Sequence, residues 1–183
     1  MIQILTGFGP MMFKALGQTL LLALCGLFFA CIIGLIFGLM SVVKNKLCNI
    51  IATIFVDVIR GVPMIVLAYF IFFGVPYLWN TIWGIGGLSL TALTAGTICL
   101  ALNCGAYMAE IIRAGIQSVD KGQMEAARSL GMTYSTSMRR VVLPQAIRTM
   151  IPSIINQFII TLKDTSILSV IGFPELVNTT KNV

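Results

Sequence analysis

From Gly61 to Ala109 the chain runs 49 residues without one Asp, Glu, Lys or Arg. A second charge-free stretch, residues 15–43, spans 29 residues and is closed by Lys44 and Lys46. Neither run alternates with the period of two that a barrel strand requires, so both read as helical. A soluble domain would carry roughly a quarter of its residues as charges. Here only 10% are charged, 58% are hydrophobic, and the mean hydropathy is +0.99. So few charges cannot clothe a water-facing surface. The fold class is all-α integral membrane, with residues 1–183 as one domain.

Several chemistries are excluded at once. There is no histidine, which removes imidazole catalysis and His-ligated metal. Cys25, Cys31, Cys48, Cys99 and Cys104 lie in or beside apolar segments without CxxC spacing, so they read as small packing residues. No metal or other cofactor is expected. The net charge of +6 does not indicate nucleic acid, because the basic residues flank apolar spans, where they set membrane topology. The N-terminus lacks a basic region followed by a cleavage site, and the first apolar stretch is too long for a signal peptide. That stretch is expected to be retained as a span.

Four spans are expected, at residues 15–43, 49–73, 90–112 and 150–171. At 1.5 Å per residue the first exceeds the hydrocarbon thickness and must tilt or project into water. Gly34 and Gly38 form a GxxxG step one turn beyond Ala30, a pattern suited to close helix packing. The second span is interrupted at Arg60-Gly61-Val62-Pro63. Pro63 removes a helical hydrogen bond and Gly61 lowers local helix propensity. The break either lines a cavity or is a simple kink near the membrane surface. A turn is expected over 74–89, which holds Gly74, Pro76, Gly84, Gly86 and Gly87, with Tyr77, Trp79 and Trp83 as an interfacial aromatic belt. Residues 113–148 carry six basic side chains, Arg113, Lys121, Arg128, Arg139, Arg140 and Arg148, and 74–89 carry none. This asymmetry places 44–46 and 113–148 in the cytoplasm, with 74–89 and the N-terminus outside.

Residues 120–144 read as a cytoplasmic helical hairpin. Asp120 and Gln123 have capping-box spacing, Gly131 suits a helix C′ position, and Thr133 or Ser135 can cap a second helix. Ala126 and Ala127 give the first helix a small surface that can seat closely in a groove. Pro144 is expected to redirect the chain into the fourth span.

Glu125-Ala126-Ala127, three residues, Gly131, nine residues, then Val141, Val142 and Leu143-Pro144 resembles the EAA loop of ABC-transporter permeases, with every spacing met. Arg60-Gly61-Val62-Pro63 looks like the Arg-Gly-Thr-Pro of the polar amino-acid uptake permeases, the histidine, glutamine, arginine and cystine importers. Ala106–Ile116, Leu143-Pro144-Gln145-Ala146 and Leu162–Ser166 are similar to further signatures of that family. The resemblance covers roughly residues 15–183. It implies a type I ABC importer transmembrane domain in the cytoplasmic membrane of a prokaryote. It implies a second permease subunit, identical or paralogous, a cytoplasmic ABC ATPase dimer, and an extracytoplasmic solute-binding protein that delivers an amino acid. It also implies a fifth span after the Glu175–Lys181 region, and the sequence stops at Val183, where that helix would begin. The chain holds no GxxxxGK[ST] and cannot cradle ATP itself. It is therefore no enzyme, and ATP hydrolysis falls to the partner.

Polar residues inside apolar spans mark cavities or partners. The substrate-binding candidates are Asn103 and Tyr107 on the third span, Gln157, Thr161 and Asp164 on the fourth, and Gly61 and Met64 at the break. Gln157, Thr161, Asp164 and Thr165 share one stripe, with Asn156 beside it. Asp164 is expected to orient a substrate ammonium while Asn103 and Thr161 contact the carboxylate or side chain. The alternative is that Asp164 pairs with Lys163 or Arg60. With one carboxylate in the stripe, a neutral or dipolar amino acid, cystine and glutamine included, is favoured over a dication. Glu110 is expected to pair with Arg113 or to cap a gate. The ATPase-coupling candidates are Glu125, Ala126, Ala127, Gly131, Leu143 and Pro144, with Glu125 touching the ATPase or capping its own loop. Motion of that hairpin would rock the spans between inward- and outward-open states. The rival reading is a secondary transporter or channel subunit without ATP coupling. The charge-free second and third spans offer it no proton relay.

Overall fold

The computed structural model describes residues 2–43, 45–83 and 87–181. Lys44, Gly84 and Gly86, and the side chain of Trp83, lie outside what is described. The first helix, α1 (Ile2–Met40), is followed by α2 (Lys46–Gly61), capped by the Asn45 side chain, which accepts from Leu47 N–H at 2.9 Å. The chain breaks at Val62-Pro63 and resumes as α3 (Met64–Tyr69), a π-helical turn (Phe70–Gly74) and α4 (Val75–Trp83). The long α5 (Ala92–Gln117) comes next, then the hairpin helices α6 (Lys121–Ser129) and α7 (Tyr134–Ser137). A second π turn (Met138–Val142) leads into α8 (Leu143–Asp164) and a 3-10 segment (Thr165–Ile171), and a short α9 (Leu176–Lys181) closes the described chain.

Four helical stretches are long and apolar enough to cross a membrane: Phe8–Met40, Met64–Ile82, Ala92–Gln117 and Tyr134–Ile171. Their bounds differ from the expected 15–43, 49–73, 90–112 and 150–171: the second starts at Met64, because the chain breaks at Val62-Pro63 and leaves α2 a separate helix of 16 residues, and two further differences trace to Pro76 and Pro144. The helix runs through Gly74 and Pro76 as far as Trp83, so residues 74–83 are not a turn. Pro144 does not redirect the chain, because the path from Tyr134 to Asp164 stays helical. In each case a π turn ends two residues before the proline. Phe70 C=O accepts from Val75 N–H, and Met138 C=O from Leu143 N–H, five residues on in both. The wider turn absorbs the N–H that proline lacks and makes room for its ring. Past Trp83, the Asn80 amide clasps Leu88 through both its backbone groups at 3.2 and 3.3 Å. Tyr77 and Trp79 are exposed on α4.

The remaining helices pack around α5. Along α1, Gly26, Gly34 and Gly38 face Leu100, Met108 and Ile112 in turn, so α1 and α5 run parallel. A Cβ on Gly34 would lie 2.4 Å from Met108 Cβ, and one on Gly105 would lie 2.8 Å from Ile33 Cγ2. Ala23 and Ala30 are fully buried in the same line. This is the close approach that the Gly34–Gly38 step suggested. α2 and α3 together run antiparallel along α5. Asn49 sits by Gln117, Arg60 by Tyr107, and Met64 by Cys99 and Asn103. α8 is also antiparallel, with Met150 against Gly115 and Gln157 beside Asn103 and Tyr107. Leu22, Leu67, Ile71, Leu100, Leu168 and Phe173 form the core at the α5 N-terminal end.

The α1–α2 connection and the basic hairpin share one end of the bundle. Val42, Ile116, Val142, Val119 and Met124 pack together at one end, joining residues 41–46 to the hairpin. At the other end, Leu176 N–H donates to Thr19 Oγ1 at 3.1 Å. There the Glu175 carboxylate, 1% exposed, caps α9 by accepting from Val177 and Asn178 N–H at 2.7 and 2.6 Å. Many large apolar side chains point outward, Phe13, Leu24, Phe28, Ile54 and Ile82 among them. Lipid is as apolar as they are, so exposure there carries no penalty.

Candidate functional site

The break between α2 and α3 opens one wall of a cavity of about 480 Å³. Gly61, Val62, Pro63 and Met64 supply that wall, Asn103 and Tyr107 come from α5, and Gln157, Ile160 and Asp164 from α8. Arg60 and Ile167 complete it. Six of the seven substrate-binding candidates, Gly61, Met64, Asn103, Tyr107, Gln157 and Asp164, therefore meet at one cavity although they come from three separate segments.

Thr161 does not line it. It is 1% exposed, and its hydroxyl donates back to Gln157 C=O at 2.9 Å. The stripe Gln157–Thr161–Asp164 is real, but its middle member is turned into the helix packing. Thr165 likewise donates to Leu162 C=O at 2.8 Å and is buried, whereas Asn156 is exposed.

The start of α3 is tied to α5 by two sulfur contacts. The Cys99 thiol approaches Met64 C=O at 3.9 Å, and Asn103 Nδ2 lies 3.7 Å from Met64 Sδ. These hold the break open. With Pro63 carrying no N–H, the backbone there cannot close into a continuous helix.

Asp164 makes no ion pair with Lys163 or Arg60. The one ion pair among the described residues is Glu110–Arg113, the partnership expected for Glu110, in which Arg113 Nε donates to Glu110 Oε2 at 2.9 Å. Arg60 instead stands over the Tyr107 ring, its guanidinium carbon 4.9 Å from the centroid. A guanidinium over a phenol face is attracted by the ring quadrupole. Arg60 is the charged wall residue that sequence reasoning missed as a site member, alongside the apolar Ile160 and Ile167. It read there as part of a helix-breaking motif, and its neighbour Tyr107 is 47 positions away. The cavity thus presents one carboxylate, one guanidinium, two amides and a phenol within mostly apolar surroundings.

The hairpin is a second site. Asp120 Oδ1 accepts from Gly122 N–H at 2.8 Å, so Asp120 caps α6 as expected. The reciprocal half of the capping box is not made, because the Gln123 side chain turns to Gln145 Nε2 at 3.5 Å. At the far end Gly131 has φ of +83°. Its N–H donates to Arg128 C=O at 3.0 Å and Met132 N–H donates to Ala127 C=O at 3.3 Å, a Schellman closure. Thr133, rather than Ser135, caps α7, accepting from Thr136 N–H at 3.3 Å. Ala127 is buried, Glu125 and Ala126 are exposed, and Leu130 is 81% exposed at the helix tip. Leu143 is half-buried and Pro144 exposed at the start of α8. An apolar side chain as bare as Leu130 at the hairpin tip is a candidate anchor, at a position where the motif specifies no residue type.

Comparison with known proteins agrees with this picture. Residues 30–182 match the family model described as the binding-protein-dependent transport system inner membrane component. Over 172 residues the chain is 38% identical to the probable amino-acid ABC transporter permease protein YckA of Bacillus subtilis, covering 94% of this chain and 73% of that one. It is 37% identical over 167 residues to the glutamine transport system permease protein GlnP of Escherichia coli, covering 91% and 74%. Among solved structures, one titled as an amino acid ABC transporter with histidines superposes with a TM-score of 0.86 at 40% identity, covering 97% of this chain and 79% of that one. The MetNI methionine ABC transporter superposes at 0.75 with 20% identity, covering 94% and 79%, which is a likeness of fold.

Proposed function

Because the chain belongs to the family of binding-protein-dependent transport system inner membrane components, we propose that its cavity passes a polar amino acid inward across the cytoplasmic membrane. The chain is a multi-pass permease subunit of the ABC importer type. Permeases of this family are not themselves catalytic. Hydrolysis belongs to a cytoplasmic ATPase dimer seated on α6, delivery to an extracytoplasmic binding protein, and the pathway is completed by a second permease subunit. The N-terminus faces outside, on the side opposite the basic hairpin.

The observation that carries the substrate reading is the pairing of Asp164 and Arg60 on one cavity wall without an ion pair between them. Asp164 is half-buried and Arg60 exposed; charges within an apolar span need a partner, water or a ligand, and a dipolar ligand supplies both partners at once. Asp164 takes the α-ammonium. Arg60, at the rim, takes the carboxylate, and the Asn103 and Gln157 amides read the side chain. A second dication-binding carboxylate is absent from the wall among the described residues, which favours a neutral or dipolar amino acid. The relatives named for glutamine transport support the same class.

Coupling runs through α6. ATP binding closes the ATPase dimer, and its motion is carried by Glu125, Ala126, Ala127 and Gly131 into Leu143, Pro144 and α8, alternating the access of the cavity. The amino-acid ABC permease relatives favour this reading over the rival secondary transporter.

The test is ATP hydrolysis by the permease–ATPase complex in liposomes with its binding protein, across a panel of amino acids. Stimulation by one amino acid identifies the substrate. Hydrolysis indifferent to every amino acid refutes the substrate class.

A further inference from the structure

Beyond the cavity around Asp164 runs a second row of polar side chains, which shares only Arg60 with it. On α2, Asn49, Thr53, Asp57 and Arg60 recur at steps of four, four and three, so they share a face. On α5, Glu110, Arg113 and Gln117 do the same. The two faces meet around a separate cavity of about 250 Å³. The other face of α2 carries Ile50, Ile51, Ile54 and Val58, all exposed.

Asn49 Nδ2 donates to Ser41 C=O at 2.7 Å, which fixes that end of the row at the α1–α2 turn, on the hairpin side. At 1.5 Å per residue Arg60 stands roughly 16 Å further into the membrane. Ionisable side chains at such depth pair, or face water or a ligand. Glu110 and Arg113 pair. Asp57 and Arg60 make no ion pair among the described residues. One helical turn apart on the same wall, they offer a carboxylate and a guanidinium outside any ion pair, each facing the opposite charge of the Glu110–Arg113 pair across the cavity.

Arg60 also lines the upper cavity, where it lies over Tyr107, and Glu110 of the lower cavity is one turn along α5 from Tyr107. The two cavities are therefore stacked, with the Arg60–Tyr107 contact between them.

We infer that the lower cavity is a second station for a dipolar amino acid on its way to the cytoplasm, with Asp57 taking the ammonium and Arg60 the carboxylate. The inference rests on the importer reading above. Arg60 is the shared group. Leaving the Tyr107 ring, it follows the carboxylate downward, so the substrate keeps one charge partner as it leaves Asp164. The Glu110–Arg113 pair bounds the station and stays neutral as a unit.

The test measures uptake of radiolabelled L-glutamine, L-histidine, L-arginine and L-cystine in turn by the full complex in liposomes. Asp57→Asn removes the ammonium partner. Thr53→Phe fills the lower cavity and leaves every charge in place. Both are expected to lower maximal uptake about fivefold or more, equivalent to roughly 1 kcal/mol, at unchanged half-saturating concentration. In the double variant Asp57→Asn/Arg60→Gln, uptake is expected to fall below either single change. Maximal uptake at the wild-type rate in Thr53→Phe overturns the station, even if Asp57→Asn fails to assemble. Recovery in the double variant overturns it too, since Asp57 would then serve only to neutralise Arg60. A wild-type complex that moves none of the four overturns the amino-acid reading, and the station with it.

Discussion

The two sides of α5 solve opposite problems with one helix. Towards α1 it offers Leu100, Gly105, Met108, Ala109 and Ile112, and α1 answers with glycines whose missing Cβ atoms let the backbones nearly touch. Towards α2, α3 and α8 it offers Cys99, Asn103, Tyr107 and Glu110, and the partners stand off to leave two cavities. Lipid supplies no hydrophobic drive between helices, so the first side holds by contact density alone. The second side can be roomy and polar because the first is sealed. The contrast separates what the protein needs to exist from what it needs to work, and substitutions on the two sides should fail differently.

The largest effect is expected on the sealed side. Gly34→Leu would drive a side chain into Met108 and, behind it, into Gly105 C=O and Ala109 N–H at 3.2 and 3.3 Å from the first new atom. Backbone cannot yield, so destabilisation of about 3 kcal/mol or more is expected. Thermal unfolding in detergent and loss of co-purifying ATPase would register it. Gly61→Ala is its control, since nothing lies within 4 Å of a Cβ there, and the complex should assemble normally. The next effect is at the hairpin. Gly131→Val places a β-branched residue at φ of +83°, which costs about 1–2 kcal/mol in strain and misplaces Leu130. Transport per ATP hydrolysed should fall steeply while the spans stay folded; unchanged coupling would remove Gly131 from the ATPase contact.

Smaller still is Asp164→Asn, which keeps shape and removes charge. The half-saturating concentration should rise about tenfold, as for a lost charge-assisted hydrogen bond, with assembly intact. Uptake and assembly both at wild-type level would end the binding role of Asp164. The smallest effect is expected from Thr161→Val. Its hydroxyl is satisfied by its own helix, so uptake should change by less than about twofold, under roughly 0.5 kcal/mol. A larger shift would return Thr161 to the cavity wall.

Much of this was readable before any coordinates. The hairpin caps were readable because they are local: Asp120, Gly131 and Thr133 act within a few residues of themselves. The cavity members were readable because polar side chains in apolar helices have few reasons to be there. Three features were hidden. The passage of helix through Pro76 and Pro144 depends on π turns that nothing in the residue pattern announces. The pairing of α1 with α5 rests on contacts some 74 positions apart, such as Gly26 with Leu100. Arg60 joins two cavities only because the break at Pro63 swings α2 beside Tyr107, a tertiary fact. Thr161 shows the converse, a residue with the right spacing whose hydroxyl found a nearer partner.

The unbroken helical path from Tyr134 to Asp164 is roughly 46 Å long at 1.5 Å per residue. Such a rod behaves as a crank. Its foot leaves the hairpin, and its head carries the carboxylate at the cavity. Tilting it by about five degrees displaces the head by about 4 Å, more than a hydrogen bond's length. The π turn at Met138–Val142 sits near the foot, where a change in pitch becomes rotation of everything above. A small tilt at the hairpin is therefore enough to carry Asp164 across more than a contact distance at the cavity.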